Sequence, residues 1–318
     1  MSIFVRRSLF IGLIAGLVMA SLVPVSSAAK GKGKGRKCGG FKATEVGTKG
    51  PDTIRGTGDM DVIVGLGGDD TIYGFGSTDV ICAGQGNDTV YGMEDHDTLT
   101  GGLGDDVLLP GAGDDSVNGA DGFDYIAYVD AASGVSIDMG TQQATGVGTD
   151  AFGLIEGAIG SSHADTLKGG SGPDDLDGGD GNDTLLGEDG DDLLRGGLGD
   201  DSLNGGAGSE DIATFAKSTA GVDANLETGT ATGDGNDTFA DVEGVEGSPF
   251  NDVLTGNSGD NGFFAGAGDD TVRAGTGNDV IHGDDGNDSL DGGTGSDLID
   301  GGVGDDDCLN AEQDSNCE

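Results

Sequence analysis

Residues 101–127 read GGLGDDVLL, PGAGDDSVN and GADGFDYIA, three consecutive nonapeptides with Asp at the sixth place and an apolar residue at the eighth. Glycine at the first, second and fourth places permits left-handed backbone and close chain approach, as a tight turn requires. The seventh to ninth places favour Val, Leu, Ile and Thr along the chain and suit a short strand. Side chains alternate along a strand, so the eighth points to one face and the seventh and ninth to the other. Each nonapeptide is therefore read as a turn followed by a strand. Two of them make an 18-residue coil that places one strand in each of two parallel sheets.

The period extends in both directions. It runs without a gap from Gly47 to Ala127, resumes over 160–213, and resumes again over 247–309, giving 9, 6 and 7 repeats. In the first block the sixth place holds Asp52, Asp61, Asp70, Asp79, Asp88, Asp97, Asp106, Asp115 and Asp124. In the second it holds Asp165, Asp174, Asp183, Asp192 and Asp201, then Glu210. In the third it holds Asp252, Asn261, Asp270, Asp279, Asp288, Asp297 and Asp306. The eighth place is apolar throughout, or Cys at 308. The expected fold is all-β: a parallel β-roll (β-solenoid) of stacked nonapeptides with two longer spacer segments. At about 4.8 Å per coil, 22 repeats would make about 11 coils.

Composition agrees with this reading. The chain has 68 Gly in 318 residues, 59 acidic against 14 basic side chains, a net charge of −45 and no Trp. Gly costs about 1 kcal/mol per helical position, which excludes a helical protein. Gly does not recur at every third place, which excludes collagen. A polyanion repels phosphate, so no nucleic-acid partner is expected. One buried aliphatic side chain per nine ordered residues returns less than the ordering costs, and stacked Asp rows repel. A hard dication between the turns would reverse that balance. Ca2+ accepts six to eight carboxylate and carbonyl oxygens, whereas Mg2+ keeps its waters and Zn2+ prefers nitrogen and sulfur.

The motif Gly-Gly-x-Gly-x-Asp-x-apolar-x stands intact at 101–109, 178–186 and 292–300, and it resembles the RTX, or haemolysin-type, calcium-binding repeat. The resemblance covers the chain from about residue 47 onward. It implies multiple Ca2+ ions, each held between the turns of repeats i and i+2. The twenty sixth-place Asp residues named above would supply carboxylates, and turn carbonyls the rest. With two fewer sites than repeats in each block, the ceiling is about 16 ions. Several places depart from the pattern: Asp59, Ser77, Asp95 and Ser209 at the fourth, Ala83 and Pro110 at the first, Asn261 and Glu210 at the sixth.

Residues 1–29 read as a signal peptide, with Arg6-Arg7, an apolar run from Leu9 to Ala20 and small residues up to Ala29. Residues 30–46 form a basic Gly/Lys leader, read either as a linker or as an attachment to anionic cell-surface or matrix glycans. The expected location is secreted or extracellular, with no membrane span after cleavage. The blocks are bounded as 47–127, 160–213 and 247–318, the last including a C-terminal cap, with spacers at 128–159 and 214–246. Segments 134–167 and 221–254 match at a constant offset of 87, with fifteen of 34 places identical, among them Asp150/Asp237 and Glu156/Glu243. Each follows Asp-x-x-x-aromatic, at Asp124 to Tyr128 and Asp211 to Phe215. They are expected to continue the roll with longer arms, and the two Glu residues to act in caps or turns.

Four Cys in a secreted chain are compatible with two disulfides. Cys308 and Cys317 fall nine apart, both on the inward eighth place; Cys38 precedes the repeats and Cys82 ends the fourth. Free or intermolecular thiols are the alternative. His96, His163 and His282 share no spacing and read as surface residues. No Gly-x-Ser-x-Gly, His-Glu-x-x-His or phosphate-loop motif is present, and no enzyme is expected. The sequence thus points to a secreted calcium-ion-binding protein that folds on binding Ca2+. The alternative is a calcium-stabilised structural or adhesive surface protein. Its sequence feature is a row of seventh-place residues, Thr53, Thr71, Thr89 and Thr98, broken by Val62, Val80 and Val107.

Overall fold

The computed structural model describes residues 35–317. The signal-peptide reading and the start of the basic leader lie outside them. All regular elements among the described residues are strands. A first sheet of 14 strands runs from Thr53–Arg55 to Gln313–Ser315. Its neighbours come from alternate repeats and pair in parallel, with Ile54 beside Ile72, Ile72 beside Val90 and Val90 beside Leu108. The second sheet interleaves with it, from Glu45–Val46 to Asp307–Leu309. Its end strands pair only inward, with Val62–Val64 and Ser289–Asp291, so the sheet is open. The chain therefore winds as a β-solenoid. It is longer than repeat counting gave, because each spacer and both termini add strands of their own.

Eighth-place side chains from both sheets meet in one continuous core. Ile72, Val90 and Leu108 on one side and Ile81, Leu99 and Leu185 on the other are fully buried. The core is one side chain deep per strand, so hydrophobic burial per ordered residue is small.

The spacers do continue the roll, by a route their sequence did not reveal. In the first, Ser136–Asp138, Gln143–Thr145 and Thr149–Gly153 form an antiparallel three-strand meander inserted into the second sheet. Its last strand pairs in parallel with the preceding coil and its first strand with the following one. Asp223–Asn225, Thr230–Thr232 and Asn236–Ala240 repeat the arrangement. Each meander adds two strands to one side of a coil, about 10 Å.

Three local readings are corrected. Leu193 pairs with Ile212 and Leu194 with Ala213, so the last repeat of the second block has ten residues. Asp211, not Glu210, occupies its sixth place: Asp211 is buried and its Oδ1 accepts the N–H of Asp192. Ala213 is the inward residue. The final strand places Asp314 opposite Ile299 in register, so Cys317 lies beyond the eighth place. It still bonds Cys308, with Cα atoms 5.7 Å apart, across the C-terminal end of the core. The Thr row divides between sheets: Thr53, Thr71 and Thr89 form an unbroken column in the first, while Val62, Val80 and Thr98 stand in the second.

Val62 and Val80 are apolar for a local reason. The hairpin of Lys37–Cys38 and Phe41–Lys42 lies over them on the outside of the second sheet, where Cys38, Val62, Val64 and Val80 form a small separate core. A Cys38–Cys82 disulfide, Cα atoms 5.8 Å apart, fastens it there.

Candidate metal centre

Stacking brings the sixth-place residues into columns along the two edges of the roll. On one edge Asp52, Asp70, Asp88, Asp106 and Asp124 follow each other, and from Asp70 onward each Oδ1 accepts the backbone N–H of the Asp one coil earlier at 2.7–2.8 Å. On the other edge Asp61, Asp79, Asp97 and Asp115 do the same at 2.7 Å. The second and third blocks repeat the pattern through Asp165, Asp183 and Asp201, through Asp174, Asp192 and Asp211, through Asp252, Asp270, Asp288 and Asp306, and through Asn261, Asp279 and Asp297. One oxygen of each carboxylate thus takes part in the roll's own hydrogen bonding.

The other oxygen is treated differently at the start of a block. In the first two repeats of each block it is held by the block's own turn. The second-place N–H donates to it in Thr48–Asp52, Thr57–Asp61, Gly170–Asp174 and Ser248–Asp252, at 2.6–2.7 Å, and Ser161–Asp165 has the same bond. From the third repeat onward the second place turns to positive φ, as at Leu66 (88°), Phe75 (84°) and Gly102 (138°). No turn N–H then faces the carboxylate. Among the described residues, sixteen column aspartates are left with a buried Oδ2 that has no partner: seven from Asp70 to Asp124, four from Asp183 to Asp211, and five from Asp270 to Asp306. An unsatisfied buried carboxylate oxygen is costly. The same change of turn that strains Leu66 and Phe75 is what frees these oxygens.

The freed oxygens face others. A Cβ built on Gly74 would lie 2.6 Å from Asp79 Oδ2 and 2.8 Å from the carbonyl oxygen of Gly92, one coil on, so the two oxygens border one gap. Among the described residues no three acidic, His or Cys side chains converge on a point. A cation here would take few carboxylates and several carbonyls, a donor set that suits Ca2+ and not Zn2+. The residues present therefore fit calcium.

Electrostatics agree. Burial, opposed by the N–H of Asp88 and reinforced by the charges of Asp88, Asp124 and Asp105, pushes the Asp106 carboxyl up to about 8. Burial likewise pushes Asp70, Asp97, Asp183, Asp192, Asp211 and Asp270 up to about 7, and Asp79, Asp88, Asp115, Asp124 and Asp288 up to about 6. Without a counter-ion the folded columns resist ionisation at neutral pH.

Sequence reading missed several column members. Asp150 and Asp237 extend one edge into the meanders, accepting the N–H of Asp115 and Asp201. Glu156, Glu243 and Glu312 each end a run on the other edge by accepting the N–H of Asp124, Asp211 and Asp297. The duplication already aligned Asp211 with Asp124, which was the available signal for its true place. A second, exposed ladder was also missed. Fifth-place Asp or Asn oxygens accept the fifth-place N–H of the next coil, from Asp69 to Asn87, Asn87 to Asp105, and Asp269 to Asn287. His96 joins this ladder, its Nδ1 accepting the Asp114 N–H at 2.7 Å.

A parallel β-solenoid of glycine turns with aspartate columns defines a class of calcium-binding repeat protein. The model of the RTX calcium-binding nonapeptide repeat matches residues 55–90, 91–126, 159–194, 186–213, 245–272 and 273–308, more than half of the chain. The chain belongs to this RTX repeat family. No curated protein matches it.

Proposed function

We propose that the chain is a secreted calcium-ion-binding protein whose repeats fold into the roll as Ca2+ binds. The observation that carries this reading is the set of sixteen partnerless Oδ2 atoms, which begins at the third repeat of every block. That number equals the site ceiling expected for repeats that bind ions between coils. When bound, Ca2+ would neutralise the columns and cross-link successive coils. The chain's own share is to aim Oδ2 and the turn carbonyls at the gap while Oδ1 holds the coil below. Two disulfides support an oxidising, extracellular destination. Adjacent Asp residues such as Asp69-Asp70, Asp105-Asp106 and Asp269-Asp270 recur from block to block, which supports a binding role over a catalytic one.

Equilibrium dialysis followed by elemental analysis tests the reading. We expect many Ca2+ per chain, up to about 16, retained against excess Mg2+. One or two ions, or equal retention of Mg2+, would contradict it.

An adhesive role has one observation in its favour. The continuous Thr53, Thr71, Thr89 column runs beside a stack in which Arg55 lies 4.6 Å from the Tyr73 ring and Tyr73 lies 4.7 Å from Tyr91. That regular face on the first sheet is where a surface or glycan partner would be sought.

A further inference from the structure

Both spacers leave the first sheet and cross its outer face before entering their meanders, over 128–133 and 215–220, equivalent places at the offset of 87. The two crossings rest on different floors. The first lies on Leu109, Tyr125, Ala127 and Ile159, an apolar cluster that Val129 packs against. Under the second, outward-facing places carry Asp175, Asp177 and Arg195. Arg195 Nη1 and Lys217 Nζ both donate to Asp177 Oδ2 at 3.0 Å. Tyr125 donates its hydroxyl to Asp175 Oδ2 at 2.7 Å. Arg195 is 5% exposed and Asp175 1%. Arg195 Nε and Asp175 Oδ1 have no partner, so the network is not closed on itself.

A buried ion network of this kind holds a fold no better than apolar packing of similar volume, and often less well. The chain itself supplies the comparison, since the first crossing is held by apolar contacts and by hydrogen bonds of Tyr128, its N–H to the Ile159 carbonyl and its hydroxyl to Asp150, rather than by charges beneath it. The charges beneath the second are therefore not required to seat it. Beside them opens a cavity of about 470 Å³, bordered by Ile159, Leu198, Asp177, Asp180, Lys217 and Ser162. Its volume is in the range of small-molecule sites.

We propose that this cavity binds a neutral saccharide of about one or two rings. Ile159 and Leu198 offer apolar surface to the C–H faces of a pyranose. Asp177 and Asp180 accept from hydroxyls, Lys217 donates to them, and Ser162 does either. The two cations are matched by Asp175 and Asp177, and the chain carries a net charge of −45, so an anionic ligand gains nothing over a neutral one. The cavity adjoins one aspartate column, since Ser161 on its wall bonds Asp165 through both its N–H and its hydroxyl.

The test is calorimetric titration of the calcium-loaded full chain with neutral mono- and disaccharides, and with uronates and sugar phosphates of equal size. We expect saturable binding of a neutral saccharide, weakened at least about tenfold by Ser162→Trp, which fills the rim without touching the ion network. Circular dichroism of the variant checks its fold; Thr219→Trp, at another exposed lining residue, replaces it if it fails to fold. Absence of neutral-saccharide binding, preference for the anionic ligands, or binding unchanged in a folded rim variant would each overturn the proposal.

Discussion

Acidifying the calcium-free protein from pH 8 to pH 4 is expected to restore β structure that chelation has removed. The sign follows from the raised carboxyls. Burial lifts the folded-state value of Asp106 to about 8 and those of Asp70, Asp97 and Asp183 to about 7, against 3.8 for a free Asp. Between those values the folded chain binds more protons than the unfolded one. Stability from these groups is therefore complete below about pH 3.8 and is lost as pH rises through 6 to 8. Protons and Ca2+ act on the same oxygens, so acid replaces the ion. Far-UV circular dichroism in chelator across this range checks the expectation at low protein concentration. A spectrum that stays coil-like to pH 4 would show that column charge is not what opposes folding.

Asp106→Asn is expected to move stability in opposite directions with and without calcium. The amide keeps an oxygen to accept the Asp88 N–H, a bond of 2.8 Å in the native chain. It also removes a carboxyl that burial pushes up to about 8. In chelator at pH 8 the variant should therefore be more readily folded than the native chain. With calcium it loses a charged ligand. If one site is lost, the deficit is about 2.7 kcal/mol at a hundredfold excess of calcium over its Kd. The chain already contains such an amide: Asn261 accepts the Asn257 N–H at 2.8 Å and donates Nδ2 to the Glu243 carbonyl at 3.0 Å, satisfied without an ion. Urea titrations with calcium and with chelator measure both signs. A loss of stability in both conditions would mean that Asp106 serves packing more than ion binding.

The period made the roll legible because a one-residue strand core and a six-residue turn repeat without variation over most of the chain. What was illegible lay where the constant spacing fails or where a second layer covers the first. The extra residue before Asp211 shifts the register by one, which a fixed nine-residue frame cannot register. The meanders alternate like any strand, so Val135 to Met139 showed strand character but not the antiparallel turn back through Gln143–Thr145. Outward places gave no sign of being covered, so Val80 read as an interruption in a Thr row when it is the floor beneath the Cys38 hairpin. The freed Oδ2 atoms were equally hidden. They follow from the positive φ of the second place, which begins at the third repeat of each block, at Leu66, Gly179 and Gly266.

If cations bound along the aspartate columns hold this roll, removing them must undo it. Protease resistance and far-UV circular dichroism of the purified, disulfide-intact chain are to be measured at pH 7.5, before and after exhaustive chelation and again after calcium is restored. We expect a coil-like, rapidly digested chain in chelator and a full return of β signal and resistance with calcium. A chain equally β-structured and equally resistant in chelator would contradict it.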